Sequence, residues 1–251
     1  MYLLMEDKIQ RQRFEYKYRI REPKAQQIRF FVQNYLESDR FGKTQPDLSY
    51  PVHSLYLDSP ALRTYQDTIN GNRNRYKLRI RYYEKDDSPV YFEIKRRYNK
   101  VIHKKRAKVH RRYYRDLLNG QVPTYNHLVT KSSEQLETLE YFSYLQNQLQ
   151  AAPKIHVSYK REAYEKEESN AVRITMDRDV QSHRQTEFSL LNESKKPISV
   201  FGDQVILELK FTDRFPHWFE ELTQLFHLRQ ESAAKYVDGI VRMKERKIEL
   251  A

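Results

Sequence analysis

Apolar and charged residues alternate with a period of two through one stretch after another of this 251-residue chain, and the charged phase is dominated by Arg and Lys. In residues 13–20, Phe14, Tyr16, Tyr18 and Ile20 fall on one face of a strand and Glu15, Lys17 and Arg19 on the other. The pattern recurs with Tyr76, Leu78, Ile80 and Tyr82 against Lys77, Arg79 and Arg81, and with Val90, Phe92 and Ile94 against Tyr91, Glu93 and Lys95. A turn is expected at Asp86, Asp87, Ser88 and Pro89 between them. Lys104, Arg106 and Lys108 share a face in the next candidate strand. Val172, Ile174 and Met176 then oppose Arg173, Thr175 and Asp177, and Val205, Leu207 and Leu209 oppose Gln204, Glu208 and Lys210. Residues 155–161 alternate less cleanly, with Tyr159 and Arg161 on one phase.

An antiparallel sheet with one wet face would show mixed Ser, Thr, Gln and Lys on its polar phase. Here the polar phase is nearly all charged. If such a sheet closes into a barrel, the charges line its inside, where like charges about 4 Å apart repel by about 4 kcal/mol at an effective dielectric of about 20. An anion must relieve that repulsion. The expected fold is therefore α+β: a closed antiparallel barrel with a charged lumen, wrapped by helices and built for an extended, highly charged anionic ligand.

The net charge of +12 is local. Residues 73–112 hold 16 basic and 4 acidic residues, and the rest of the chain is balanced at 30 of each. Such a field concentrates polyanions. The absence of cysteine excludes a disulfide framework and thiolate metal sites. No stretch approaches the roughly 20 apolar residues of a membrane helix, and residues 1–8 lack the pattern of a signal peptide, so a soluble, cytoplasmic protein is expected. Its 20 Tyr, 12 Phe and 1 Trp, spread along the chain, argue against disorder.

Wrapping helices are expected at 22–36, with Pro23 in the first turn, and from Ser59 and Pro60 to Ile69, closed by Gly71. Others are expected at 111–119, at 133–150 behind a Ser132/Gln135 capping box, after Pro216, and at 236–249. Without a Gly/Ser/Pro-rich linker or a repeat, residues 1–251 read as one domain.

Several chemistries are excluded. Gly42, Lys43 and Thr44 resemble the end of a phosphate-binding loop, but Glu37 stands where that motif needs glycine. Five glycines cannot build a glycine-rich cradle, so side chains must hold any phosphate. The eight histidines show no helical i, i+4 pair, and no nucleophile elbow surrounds a serine.

In order along the chain, FEYKYRI, SLYLDS, YKLRIRYYE, YFEIKRR, KIHVSYKREAY, VRITMDRDV, VILELKF and AAKYVDG together resemble the catalytic domain of the VTC (vacuolar transporter chaperone) family, the polyphosphate polymerase branch of the triphosphate tunnel metalloenzymes. The resemblance covers about residues 11–239 and implies a tunnel barrel of about eight strands. It implies transfer of the ATP γ-phosphate to a growing polyphosphate chain with Mn²⁺ or Mg²⁺. Matched position by position, it implies catalytic roles for Lys17, Arg79, Arg81, Lys95, Arg161 and Lys235. It implies phosphate binding by Tyr159, Arg173, Lys210 and either Lys105 or Arg106, and metal binding by Glu208, and the charged strand phase adds Arg19 and Lys77 as phosphate-binding candidates. Two departures stand out. Ala234 replaces a serine that usually precedes the lysine at 235, which removes one phosphate hydrogen bond. Glu15, Lys17 and Arg19 replace the Glu-x-Glu-x-Lys of tunnel triphosphatases, trading a metal carboxylate for a cation.

The expected partners are ATP and inorganic polyphosphate, with a separate membrane protein as a possible further one. No specific nucleic acid is expected, because the aromatics mostly occupy the phase opposite the cations and stacking on bases needs both on one face. A tunnel triphosphatase and a non-enzymatic polyanion-binding module are the alternatives.

Overall fold

The computed structural model describes residues 13–83, 88–99, 101–166, 169–190, 196–212 and 214–250. Residues 1–8 and the turn residues Asp86 and Asp87 lie outside them. The strands are β1 (Arg13–Ile20), β2 (Glu37–Ser38), β3 (Ser49–Asp58), β4 (Asn74–Tyr82), β5 (Val90–Tyr98), β6 (Val101–Val109), β7 (Ala152–Lys166), β8 (Ser169–Arg184), β9 (Ile198–Ser199) and β10 (Val205–Thr212). The helices are α1 (Glu22–Val32), α2 (Arg63–Ile69), α3 (Tyr114–Leu118), α4 (Ser133–Leu149), α5 (His217–Leu225) and α6 (Lys235–Glu245). Hydrogen-bonded strand order is β1-β10-β8-β7-β3-β4-β5-β6, antiparallel throughout, with β2 and β9 paired to β7 and β8. The edge strands β1 and β6 meet without a main-chain ladder among the described residues. Side chains cross nearby, where the Lys95 ammonium on β5 lies 3.3 Å from both carboxylate oxygens of Glu15 on β1.

The apolar phase builds two cores on the outer face. Leu78, Ile80, Phe92, Ile94, Ala107 and Val109 pack against Leu139, Phe142 and Leu145 of α4. Tyr18, Ile174, Met176, Leu207 and Leu209 pack against Ala25, Ile28 and Val32 of α1 and Phe219 and Leu222 of α5. At about 25 cal/mol per Å² of buried apolar area, these faces hold the helices onto the outside of the sheet.

A third core lies on the inner phase. Val52 and Tyr56 of β3, Ile155, Val157 and Tyr159 of β7 and Val180 of β8 pack on Tyr236, Ile240 and Met243 of α6, which fills one end of the lumen. This explains the irregular alternation at 155–161: β7 is apolar inward where α6 covers it and polar beyond. The helix comes close because Gly239 faces β7 and β8. A Cβ there would stand 3.2 Å from both Ile155 Cδ1 and Ser182 Oγ.

Local expectations shift where tertiary contacts compete. Helix α2 begins at Arg63, not at Ser59, because Leu62 takes a left-handed conformation (φ 55°) and the buried Asp58 carboxylate caps the Thr64 and Tyr65 amides. The capping box at α4 does not form, since Gln135 Oε1 instead accepts from the Lys108 amide of β6 at 2.8 Å. Gly42 has a structural role. Its amide donates to Asp39 Oδ1 at 2.9 Å, and a Cβ there would lie 2.7 Å from the Leu48 carbonyl.

Candidate active site

Three buried carboxylates, Glu208, Asp177 and Glu93, and the part-buried Glu15 organise the cations of the inner face. Glu208 of β10 sits opposite Lys17 of β1 and Thr175 of β8 in the ladder, so alternation alone brings these three to one level. Its Oε1 lies 3.0 Å from the Lys235 ammonium and 3.4 Å from that of Lys17, and its Oε2 lies 2.6 Å from Lys210. Burial would raise the Glu208 pKa, but Lys17, Lys210 and Lys235 hold it well below the usual carboxylate range. Lys210 feels its burial more than its partners and drops to about 8.

Asp177 of β8 receives Arg161 of β7 as a fork, Nε and Nη2 each at 2.7 Å, and Lys235 at 2.7 Å. Lys235, the first residue of α6, thus joins two carboxylates. Glu93 of β5, with no exposed surface, takes Arg79 Nε and Arg106 Nε at 2.7 Å each and Lys104 at 2.7 Å. Its carboxyl stays ionised despite burial because Arg79, Arg81, Lys104 and Arg106 surround it. Glu15 lies 3.2 Å from Lys17 as well as 3.3 Å from Lys95.

Aromatic hydroxyls complete the wall. Tyr159 OH accepts from Arg81 Nη2 at 2.9 Å, while its ring carries Arg161 and Lys235 at 5.1 and 5.0 Å. Tyr56 OH accepts from Arg79 Nη1 at 3.1 Å. Arg81 is 6% exposed, and its Nε has no hydrogen-bond partner among the described residues. A buried, unsatisfied guanidinium N–H costs roughly 1–3 kcal/mol or more, and an oxyanion at that point would recover it.

The strand phase therefore brings together Lys17, Arg79, Arg81, Lys95, Arg106, Tyr159, Arg161, Lys210 and Glu208, and α6 adds Lys235. Lys77 faces the same space, its ammonium 5.7 Å from the Tyr236 ring centre. Three expected residues are placed elsewhere. Lys105 is corrected to the outer face, 5.8 Å from the Tyr141 ring of α4, which leaves Arg106 as the β6 candidate. Arg19 is committed to the loop before α6, donating to the Ser232 carbonyl from Nε at 2.9 Å. Arg173 points along the inner phase but is held by Asp39 at 2.8 Å and by Glu165. At Ala234 the missing hydroxyl is not replaced by its amide, which donates to Asp238 Oδ2 at 2.6 Å.

Lys104 and Tyr56 belong to the cluster without having been assigned roles, and Glu93 and Asp177, open on sequence alone to either ion pairing or metal binding, are ion-paired here. Lys104 carried a usable signal, the same phase as Arg106. Glu93 and Asp177 lie on the charged phase too, but alternation cannot separate a counter-ion from a ligand.

A divalent cation would need hard oxygen donors, and no group of three or more Asp, Glu or His able to hold one occurs among the described residues. Glu208, ionised but engaged by Lys17, Lys210 and Lys235, is the one carboxylate assigned to metal by the resemblance, and a Mg²⁺ or Mn²⁺ ion there would need substrate oxygens and water for its other ligands.

A model of the VTC domain matches residues 12–244. Among solved structures, the putative adenylyl cyclase HpAC1 from Hippeastrum, which has a dominant triphosphatase activity, is 13% identical. The match covers 92% of this chain and 96% of that one, with a TM-score of 0.51. The PH1819 protein from Pyrococcus horikoshii OT3 is 12% identical over 92% of this chain and 98% of that one, with a TM-score of 0.46. No curated protein matches. At 13% identity the likeness to the Hippeastrum structure concerns the fold alone.

Proposed function

Because this chain belongs to the VTC domain family, with the fold of triphosphate tunnel proteins, we propose that it is a tunnel enzyme acting on phosphates as a metal-dependent polyphosphate polymerase. It would transfer the ATP γ-phosphate to the end of a polyphosphate chain. The observation that carries the reading is the inward cluster itself, in which the cations, buried and part-buried together, outnumber the carboxylates and Arg81 keeps an N–H unanswered among the described residues.

Phosphoryl transfer asks the protein for alignment and charge neutralisation more than for covalent chemistry. A terminal oxygen of the acceptor chain attacks the γ-phosphorus and forms a P–O–P bond. The bond from that phosphorus to the β,γ-bridging oxygen breaks, and ADP leaves with the electron pair. The acceptor is already an anion, so no protein base is required. Arg79, Arg81 and Arg161 present planar forks to phosphate oxygens, and Lys17, Lys95 and Lys235 supply point charges. Phosphate oxygens would take up these cations in place of Glu93, Asp177 and Glu208, and Glu208 is the carboxylate that would hold Mg²⁺ or Mn²⁺. That ion would neutralise charge on the phosphates.

The test is to incubate purified protein with ATP and Mn²⁺ and to separate products by size. Polyphosphate accumulating with ADP is the expected result. Release of orthophosphate from tripolyphosphate with no chain growth would overturn the polymerase reading in favour of a triphosphatase, the activity known for the Hippeastrum protein.

A further inference from the structure

Aromatics and cations lie mostly on opposite strand phases, but toward the hairpin that joins β5 to β6 they share the outer one. Ile94, Arg96 and Tyr98 of β5 and His103 and Lys105 of β6 turn outward there, and with Tyr141 of α4 they line an open groove of about 400 Å³. That volume suits a small-molecule ligand. The groove lies on the face opposite the inner cluster, because Lys95, Lys104 and Arg106 alternate to the other side, toward Glu15 and Glu93.

The cations of the groove differ from the inner ones in how they are held. Arg96 donates from Nε to Asn74 Oδ1 and from Nη1 to the Tyr141 hydroxyl, both at 3.1 Å, so neutral acceptors fix the guanidinium and leave its charge uncancelled. A guanidinium has five N–H donors, and the other three are unanswered among the described residues. Lys105 stands 5.8 Å from the centre of the Tyr141 ring, and His103 is directly opposite Arg96 in the ladder. Glu137 and Glu140 on α4 are exposed and form no ion pair with these three among the described residues.

Two cations and an imidazole converging without a carboxylate favour a compact, multiply charged anion such as a phosphate monoester. Tyr98 is 57% exposed, and its ring stacks on no other aromatic among the described residues. It is two residues from Arg96 on the same face, about 7 Å along the strand. A phosphate held by Arg96 and Lys105 thus places an attached planar group within reach of an open aromatic face, and stacking on such a face tolerates any base. An inorganic phosphate would leave Tyr98 unused.

We propose that this groove binds a nucleotide outside the tunnel, its phosphate on Arg96, His103 and Lys105 and its base stacked on Tyr98. The site does not depend on the reaction proposed for the inner cluster. A free nucleotide and one unit of a single-stranded RNA offer it the same chemistry.

The experiment titrates AMP, a short single-stranded oligoadenylate and inorganic phosphate into wild type, Tyr98→Ala and Arg96→Gln by calorimetry. Wild type is expected to bind AMP or the oligoadenylate, and each substitution to weaken that binding at least about tenfold. Melting temperatures should stay within about 3 °C of wild type, which separates the effect from misfolding, and Tyr98→Ala breaks no hydrogen bond among the described residues. AMP as the tighter ligand identifies a free nucleotide as the source, and the oligoadenylate as the tighter ligand identifies a strand. Binding of neither, nucleotide binding unchanged in both variants, or inorganic phosphate bound as tightly as the nucleotide would overturn the proposal.

Discussion

Replacing Arg161 with alanine is expected to destabilise the protein by about 3 kcal/mol and to lower polymer formation by at least about 10²-fold. Asp177, with no exposed surface, has Arg161 and Lys235 as its cationic partners, and the arginine supplies both arms of a fork. Burial alone would raise the Asp177 pKa, and the two cations bring it below its ordinary value. Without Arg161 one ammonium must hold a buried carboxylate, and Lys235 is drawn away from Glu208 and from substrate. An Arg161→Lys variant separates the two effects. It keeps a charge near Asp177, so stability should largely return, but an ammonium cannot make the bidentate contact and turnover should stay low. Thermal melts and size-resolved product assays on both variants read this directly. Wild-type turnover in Arg161→Ala would remove the residue from the site.

Asp58 is expected to matter as much, from outside the cluster. Its buried carboxylate accepts from the amides of Ser59, Thr64 and Tyr65, from Thr64 Oγ1 at 2.8 Å and from the Tyr236 hydroxyl at 2.5 Å. It thus ties β3 and α2 to α6 one residue beyond Lys235. An Asp58→Ala variant leaves several buried donors unanswered, each worth roughly 1–3 kcal/mol, and is expected to lose about 4 kcal/mol in all. At roughly 2–4 °C per kcal/mol for a chain of this size, the melting temperature should fall by about 8–16 °C. Asp58→Asn keeps one acceptor and should recover part of the loss. Because α6 carries Lys235, the alanine variant should also bind tripolyphosphate more weakly. A fall of less than about 2 °C would contradict the role given to Asp58.

The strands and their faces were legible in the sequence because backbone alternation decides them locally: Lys17, Arg79, Lys95 and Glu208 all lie on the phase that alternation assigns. What lay beyond local pattern depended on which element covers a face. Ile155 and Val157 point inward because α6 packs there, and no period within β7 announces a helix some eighty residues later. Lys105 and Arg106 are adjacent, so a one-residue choice of register moves the charge from one face to the other. Arg19 keeps the charged phase yet is captured by the Ser232 carbonyl at the loop before α6. Gln135 was claimed by the Lys108 amide rather than by its own helix. The roles of the carboxylates were least legible, since Glu93 and Glu208 have the same residue type, phase and burial, and differ in the cations around them.

Under the proposed function, the cations on the inner face of the curled sheet converge on linked phosphates. The most direct measurement is a crystal structure of the protein with tripolyphosphate and Mn²⁺. Phosphate oxygens are expected within hydrogen-bond distance of Arg79, Arg81 Nε, Arg161 and Lys235, with Arg79 drawn off Glu93 and Arg161 and Lys235 off Asp177. Tripolyphosphate bound on the outer face, with the inner cations still paired to their carboxylates, would contradict it.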